Sequence, residues 1–247
     1  MKHLFTAAVL VAGSMVAASA SAATLAGSFD LASLGNAKVG PDYIDWGQQG
    51  PVYGPTDGDV IFTFGTGDFG AGGDYNLALT LGGLKDLDLL TAPVGAPLSI
   101  SNFLTSDVYS NLDFTLTYLA PGSGTAAGCG NSPGTNCTPF VGSPFTIVNG
   151  QALPNGQIGS GVTVNMAGTV SDGSGDPVSY WSAAFTTQFA TLSSGEILAM
   201  IDDEGFVESA YSAQFVVDVT PVPEPASMVL TGLALSGMAM FIRRRRS

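Results

Sequence analysis

Histidine is almost missing from this chain of 247 residues; the single copy is His3. A Ser-His-Asp or Cys-His apparatus needs an imidazole beside its nucleophile, and the common catalytic zinc sites use one as a ligand. Neither chemistry is therefore available beyond the first few residues. Basic side chains are the second scarcity. Between 23 and 221 only Lys38 and Lys85 stand against nineteen acids, a net charge of −17 for that stretch. Nucleic-acid binding depends on Lys and Arg neutralising phosphates, so no nucleic-acid partner is expected. The same charge disfavours anionic lipid headgroups and suits divalent cations or a cation-bridged polysaccharide. A long amphipathic helical pattern is also lacking from the central region.

What is there begins with two unusual ends. Met1, Lys2 and His3 form a short positive start, Leu4 to Val16 is almost uninterruptedly apolar, and Ala17 to Ala23 are small. This is the layout of a secretory signal peptide, too short in its apolar run for a membrane anchor. Both Ala18-Ser19-Ala20 and Ala20-Ser21-Ala22 suit a signal peptidase, and cleavage after Ala22 would leave Ala23 as the mature N-terminus. At the other end, 226–242 is charge-free and apolar, the length of a short transmembrane helix. Arg243, Arg244, Arg245 and Arg246 follow at once as a membrane stop signal. They would stay on the cytoplasmic side and place the preceding chain outside it.

Immediately before that span stands Val222-Pro223-Glu224-Pro225. Two prolines this close keep the chain extended and open to a protease. Pro-Glu-Pro, one short apolar span and a terminal arginine cluster, in that order over 222–247, resemble the PEP-CTERM sorting signal. The resemblance implies export by a Gram-negative, exopolysaccharide-making bacterium. It also implies transient insertion in the inner membrane and processing at Pro223, Glu224 and Pro225 by an exosortase-type membrane protease. These residues would be a substrate and not a catalyst, and the mature protein would end at the cell surface or outside it. The resemblance is silent about the region between the two ends.

That region reads as strands. Tyr211, Ala213, Phe215, Val217 and Val219 alternate with polar neighbours, Val216 excepted. So do Trp181, Ala183, Phe185 and Phe189, then Val162, Val164 and Met166, then Leu112, Phe114, Leu116 and Tyr118. Further strands are expected at 60–64, 76–81, 145–148 and 197–201. Alternation of period two lets one face pack a core while the other meets solvent. Glycine- and aspartate-rich turns separate these runs. The expected fold is mostly β: a single antiparallel β-sandwich of jelly-roll type over 59–221, after a partly irregular lead-in at 23–58.

Cys129 and Cys137 flank a loop rich in Gly, Asn, Ser and Pro. In an oxidising exported compartment a disulfide is expected there, worth on the order of 2–3 kcal/mol. Metal ligation by two thiols or a C-x-x-C redox pair fits the spacing less well. No cofactor is expected. A structural calcium would draw on aspartate-rich turns, with Asp172 and Asp176 the named candidates beside Asp57 with Asp59, Asp68 with Asp74, and 202–204. Solvated turn aspartates are the plainer reading. Tyr180 is a surface candidate for stacking on a sugar, whereas Trp181 shares the apolar face and belongs to the core. The function expected is a non-enzymatic surface or matrix protein associated with exopolysaccharide. A carbohydrate-binding module is the alternative, and a secreted glycoside hydrolase with two carboxylates across a sugar is the less favoured one.

Overall fold

The strand β14, Ser212–Asp218, shows how local pattern becomes architecture: Ala213, Phe215 and Val217 are buried, while Ser212, Gln214, Val216 and Asp218 face out. The computed structural model describes residues 24–47, 57–175 and 178–218. In chain order its strands are β1 Gly27–Ser33, β2 Ala37–Val39, β3 Tyr43–Asp45, β4 Asp57–Gly67, β5 Leu81–Lys85 and β6 Leu87–Asp88. They continue as β7 Pro97–Ser106, β8 Asp113–Leu119, β9 Asn136–Cys137, β10 Phe145–Ala152, β11 Ile158–Ser171, β12 Ser179–Phe189 and β13 Val207–Ser209. One helix, α1 Ser194–Glu204, lies between β12 and β13.

The expected sandwich is corrected to a closed barrel. Its eight strands run in the order β12, β14, β1, β4, β5, β7, β8, β11, and β11 pairs with β12 to close the ring. Every pairing in the ring is antiparallel. A sandwich and a barrel of eight strands present the same alternating faces; only closure separates them. Register shifts bend the strands toward closure, between Asp30 and Leu31 where β1 meets β4 and between Ala167 and Gly168 where β11 meets β8. The second shift also inverts the end of β8. Gly168 pairs with Leu116 and Ala167 with Tyr118, so Leu119 turns inward and Tyr118, expected inside, turns outward. Gly168 is required at this point, because a Cβ would strike the Thr115 carbonyl and the Trp181 ring.

An eight-stranded barrel encloses a space that side chains can fill. Here Phe29, Phe62, Phe69, Phe103, Phe114, Trp181 and Phe215 are almost wholly buried within it. Phe29 stacks on Phe215 with ring centroids 4.8 Å apart and meets Phe69 and Phe114 edge-on. The Trp181 indole N–H donates to the Thr169 carbonyl at 2.9 Å, so this buried ring keeps its one polar atom paired.

Three local expectations change. The lead-in at 23–58 contributes β1, which sits between β14 and β4 in the ring with Phe29 and Leu31 buried. The strand expected at 76–81 begins only at Leu81, because Thr80 closes a turn by donating its amide and hydroxyl to the Leu77 carbonyl. The strand expected at 197–201 is part of α1. Ser193 caps this helix in a reciprocal box with Glu196, and Gly205 ends it in the left-handed conformation at φ 85°. Those end signals outweigh the apolar alternation of Ile197 to Ile201.

Two additions lie outside the ring. A small sheet ordered β13, β2, β3, β6 stands apart from the barrel sheet. The long strand β11 pairs with β8 through 166–171, and its earlier half instead pairs with β10, which in turn carries β9. Among the described residues no helix is long and apolar enough to cross a membrane. The expected span at 226–242 lies outside the described residues, as do the signal peptide and Ala20, Ala22 and Ala23.

Candidate functional site

Where β10 and the first half of β11 run beyond the ring, a second, smaller apolar cluster forms from Cys137, Ile147, Phe189, Ile197 and Val207. It is distinct from the main core, and Val39 and Val162 pack against both. Between the two lies a cavity of about 280 Å³. Its barrel side is formed by Phe145, Val164 and Phe185, its far side by Ile147, Phe189, Ile197 and Val207. Ile44 and Trp46, at and just beyond β3, cover it from the small sheet. Pro41, Phe140 and Asp202 also line it and are exposed, which marks the mouth between the β2–β3 turn, the 139–140 loop and α1.

No basic side chain lines this space. Lys38 is turned to Glu208 at 3.5 Å and lies over the Phe206 ring, and Lys85 donates to the Ser101 carbonyl. The polar lining of the cavity is Thr186, Thr187, Ser209 and Asp202, with Trp46 and Tyr211. Trp46 is 3 % exposed and Tyr211 7 %, their ring centroids are 5.0 Å apart, and neither the indole N–H nor the phenol O–H has a hydrogen-bond partner. Burial pushes the Tyr211 phenol far above its ordinary value, and the carboxylates of Asp86, Asp59 and Asp45 add to this. The hydroxyl therefore stays protonated. One carboxylate oxygen of Asp59 is likewise buried without a partner. These groups come from distant parts of the chain. The only hint in the sequence is a lone tryptophan at 46 in a stretch of small and polar residues.

The annex around the cavity is tied by polar contacts. Cys129 and Cys137 form the expected disulfide, with Cα atoms 5.1 Å apart. Asn149, fully buried on β10, donates to the Gly130 and Ser132 carbonyls at 2.7 and 3.0 Å and to the Thr135 hydroxyl at 3.0 Å. Its carbonyl oxygen accepts from the Ser160 hydroxyl at 3.0 Å and the Ser194 amide at 2.7 Å. One side chain thus joins the disulfide loop, β11 and the start of α1. Asn149 escaped the sequence reading because an asparagine before a glycine looks like a turn.

Among the described residues, the aspartates proposed for calcium do not gather. Asp172 accepts from the Ser174 amide and the Tyr75 hydroxyl, both at 2.9 Å, and its pair Asp176 lies outside the described residues. The hydrogen bonds from Ser174, with that of Tyr75 behind them, hold the Asp172 carboxyl below the ordinary range. Asp68 accepts from the Ala26 amide at 2.7 Å, whereas Asp74 is exposed. Asp202, Asp203 and Glu204 are exposed at the end of α1. Nothing is described of the Asp57 side chain. Among the described residues no three acids, cysteines or histidines converge as a metal ion would need. Tyr180 is half exposed on the outside of the barrel and Trp181 is buried, as their alternation required.

Strand β14 ends at Asp218, a few residues before Val222, Pro223, Glu224 and Pro225; these and Arg243 to Arg246 lie outside the described residues. No curated protein and no solved structure matches the chain. The PEP-CTERM protein-sorting motif matches residues 221–246. This motif implies export and processing by an exosortase, a membrane protease. The chain carries the PEP-CTERM protein-sorting motif at 221–246, C-terminal to the last strand of the β-barrel.

Proposed function

We propose that this is a non-enzymatic protein of the extracellular or cell-surface matrix, associated with exopolysaccharide, in which the barrel is the passenger and residues 221–246 are its sorting label. The observation that carries the reading is the match of the PEP-CTERM motif at that position. In this reading the leader is removed after Ala22. The tail is held briefly in the inner membrane by its apolar span and the four arginines, and cleavage near Pro223–Pro225 releases the barrel outward. The acidity of the region between the ends supports a matrix role, since repelling surfaces stay soluble and take up divalent cations that bridge acidic polysaccharide.

A carbohydrate-binding role is the second reading, and half-exposed Tyr180 on the outer barrel face supports it. Aromatic faces of this kind stack on the apolar face of a sugar ring. The deciding measurement for the main reading is intact mass with C-terminal peptide mapping in the culture supernatant, outer-surface and inner-membrane fractions. An extracellular form beginning near Ala23 and ending near Pro223–Pro225 is the expected result. Recovery only of an inner-membrane form still carrying Arg243 to Arg246 would replace it with a tethered periplasmic barrel.

A further inference from the structure

The mouth of the cavity is edged by a turn that holds apolar side chains out in water. Residues 140–143 form it: the Ser143 amide donates to the Phe140 carbonyl at 3.1 Å, and Gly142 takes the left-handed conformation at φ 86°. That is the third position of a type II turn, where glycine is favoured, and it leaves Val141 at the corner. Val141 is 97 % exposed, and Phe140, which lines the cavity, is 41 % exposed. The turn is fixed from behind. Ser143 is buried, its carbonyl accepts from the Gly122 amide at 2.8 Å, and the Thr138 hydroxyl donates to the Phe140 carbonyl. A lone exposed valine needs no explanation. Here Val141 and Phe140 stand together beside an open apolar cavity of about 280 Å³, with Pro41, Leu198 and Ile201 in its wall. An apolar protrusion and an apolar hole therefore share one face.

A face that carries a protrusion beside the hole it fits is self-complementary. Two such faces pair about a two-fold axis, each copy filling the other. We propose that the cavity face is a docking surface for a second copy of this chain, the Val141 turn of each copy entering the cavity of the other between Pro41 and Leu198. Charge favours this occupant. The turn and its flanks, 138–144, carry no charged residue, whereas an anionic guest would pass Asp202 and meet no basic side chain in the wall. Desolvating an anion there is costly. The sorting tail leaves the face free: Tyr211 lines the cavity, and β14 carries the chain about 20 Å along the barrel before the motif begins. With two lysines against nineteen acids between 23 and 221, two copies repel at long range, so salt should tighten the pair.

The experiment uses the full chain, its tail held in solution by amphipol. Sedimentation equilibrium up to about 1 mM should show a reversible dimer that tightens with added salt. Val141→Asp should weaken the dimer at least about tenfold, because the charge would be desolvated in an apolar hole. Val141 is almost fully exposed, so the same change should leave the thermal midpoint of the monomer unaltered. Leu198→Asp should weaken pairing from the side of the hole. The two cysteines of the chain are bonded to each other, so an introduced thiol is unique. Chains carrying Val141→Cys, mixed with chains carrying Leu198→Cys, should give the mixed disulfide on mild oxidation, in preference to either like pair. A chain that stays monomeric overturns the proposal. So does a dimer that Val141→Asp leaves intact, which would place the association elsewhere, as in the apolar tail. Cross-linking of position 141 only to itself also overturns it, since the turns would then meet with the holes empty. Benzene should compete with pairing; saturable benzene binding to a chain that never dimerises would assign the cavity to a small apolar molecule instead.

Discussion

Inside the barrel, Phe29, Phe114 and Phe215 meet ring to ring and almost no polar side chain intrudes. A few strands away, the annex of the disulfide loop, β10 and the start of α1 buries Asn149, Ser160, Ser193 and Ser194 instead. The two regions are held by different physics. Burial of aromatic area is non-directional and tolerates small shifts, so the barrel can close around whatever rings its strands turn inward. The annex has too few apolar residues for that, and every buried polar atom must find a partner in a fixed direction. The consequence lies at the seam. The directional network holds α1 and β10 at a set distance from the barrel core, and the two apolar clusters cannot slide together to remove the cavity between them.

The comparison can be broken most severely from the barrel side. Phe215 touches Phe29, Phe114, Trp181 and Phe185, so Phe215→Ala should cost about 3–5 kcal/mol and lower the unfolding midpoint of the whole protein. Denaturant unfolding followed by tryptophan fluorescence checks this. Asn149→Ala should cost about 2–3 kcal/mol by orphaning the buried Ser194 amide and taking one donor each from the Gly130 and Ser132 carbonyls, which keep Ser194 and Thr135 as partners. Its signature should be local: faster hydrogen exchange in 129–137 and α1, with the amides of β1, β4 and β14 unchanged. If barrel amides exchange faster to the same degree, the two regions are one cooperative unit and the contrast fails.

Smaller effects sharpen it. Replacing both Cys129 and Cys137 by serine should cost about 2–3 kcal/mol, as expected for closing a short loop, and should again fall on the annex. Ser193→Ala should cost about 1 kcal/mol through loss of the helix cap. The smallest effect is a pH dependence. Hydrogen bonds from the Ser193 amide and hydroxyl hold the Glu196 carboxyl below the ordinary carboxylate range. Its contribution is therefore full above the unfolded-state value and is lost as pH falls through the lower folded-state value. Circular dichroism of α1 on acid titration should show this loss, and Ser193→Ala, which removes the hydroxyl and keeps the amide, should reduce it without abolishing it.

Much of this was readable before any coordinates. Period-two alternation places Phe215, Trp181 and Phe114 inward, because successive side chains on a strand point to opposite faces whatever the strand pairs with. The Cys129–Cys137 loop and the terminal sorting motif are likewise properties of short segments. The helix α1 was also legible, since Ser193, Glu196 and Gly205 are a start and a stop, but alternation from Ile197 to Ile201 masked them. Tyr118 was misplaced because a single-residue register shift reverses every later face, and the extra residue, Thr117, is defined only by how β8 pairs with β11. Closure, the cavity and the meeting of Trp46 with Tyr211 belong to the tertiary structure alone. They depend on hydrogen bonds between strands far apart in the chain, and on a volume left over when two rigidly held clusters are packed side by side.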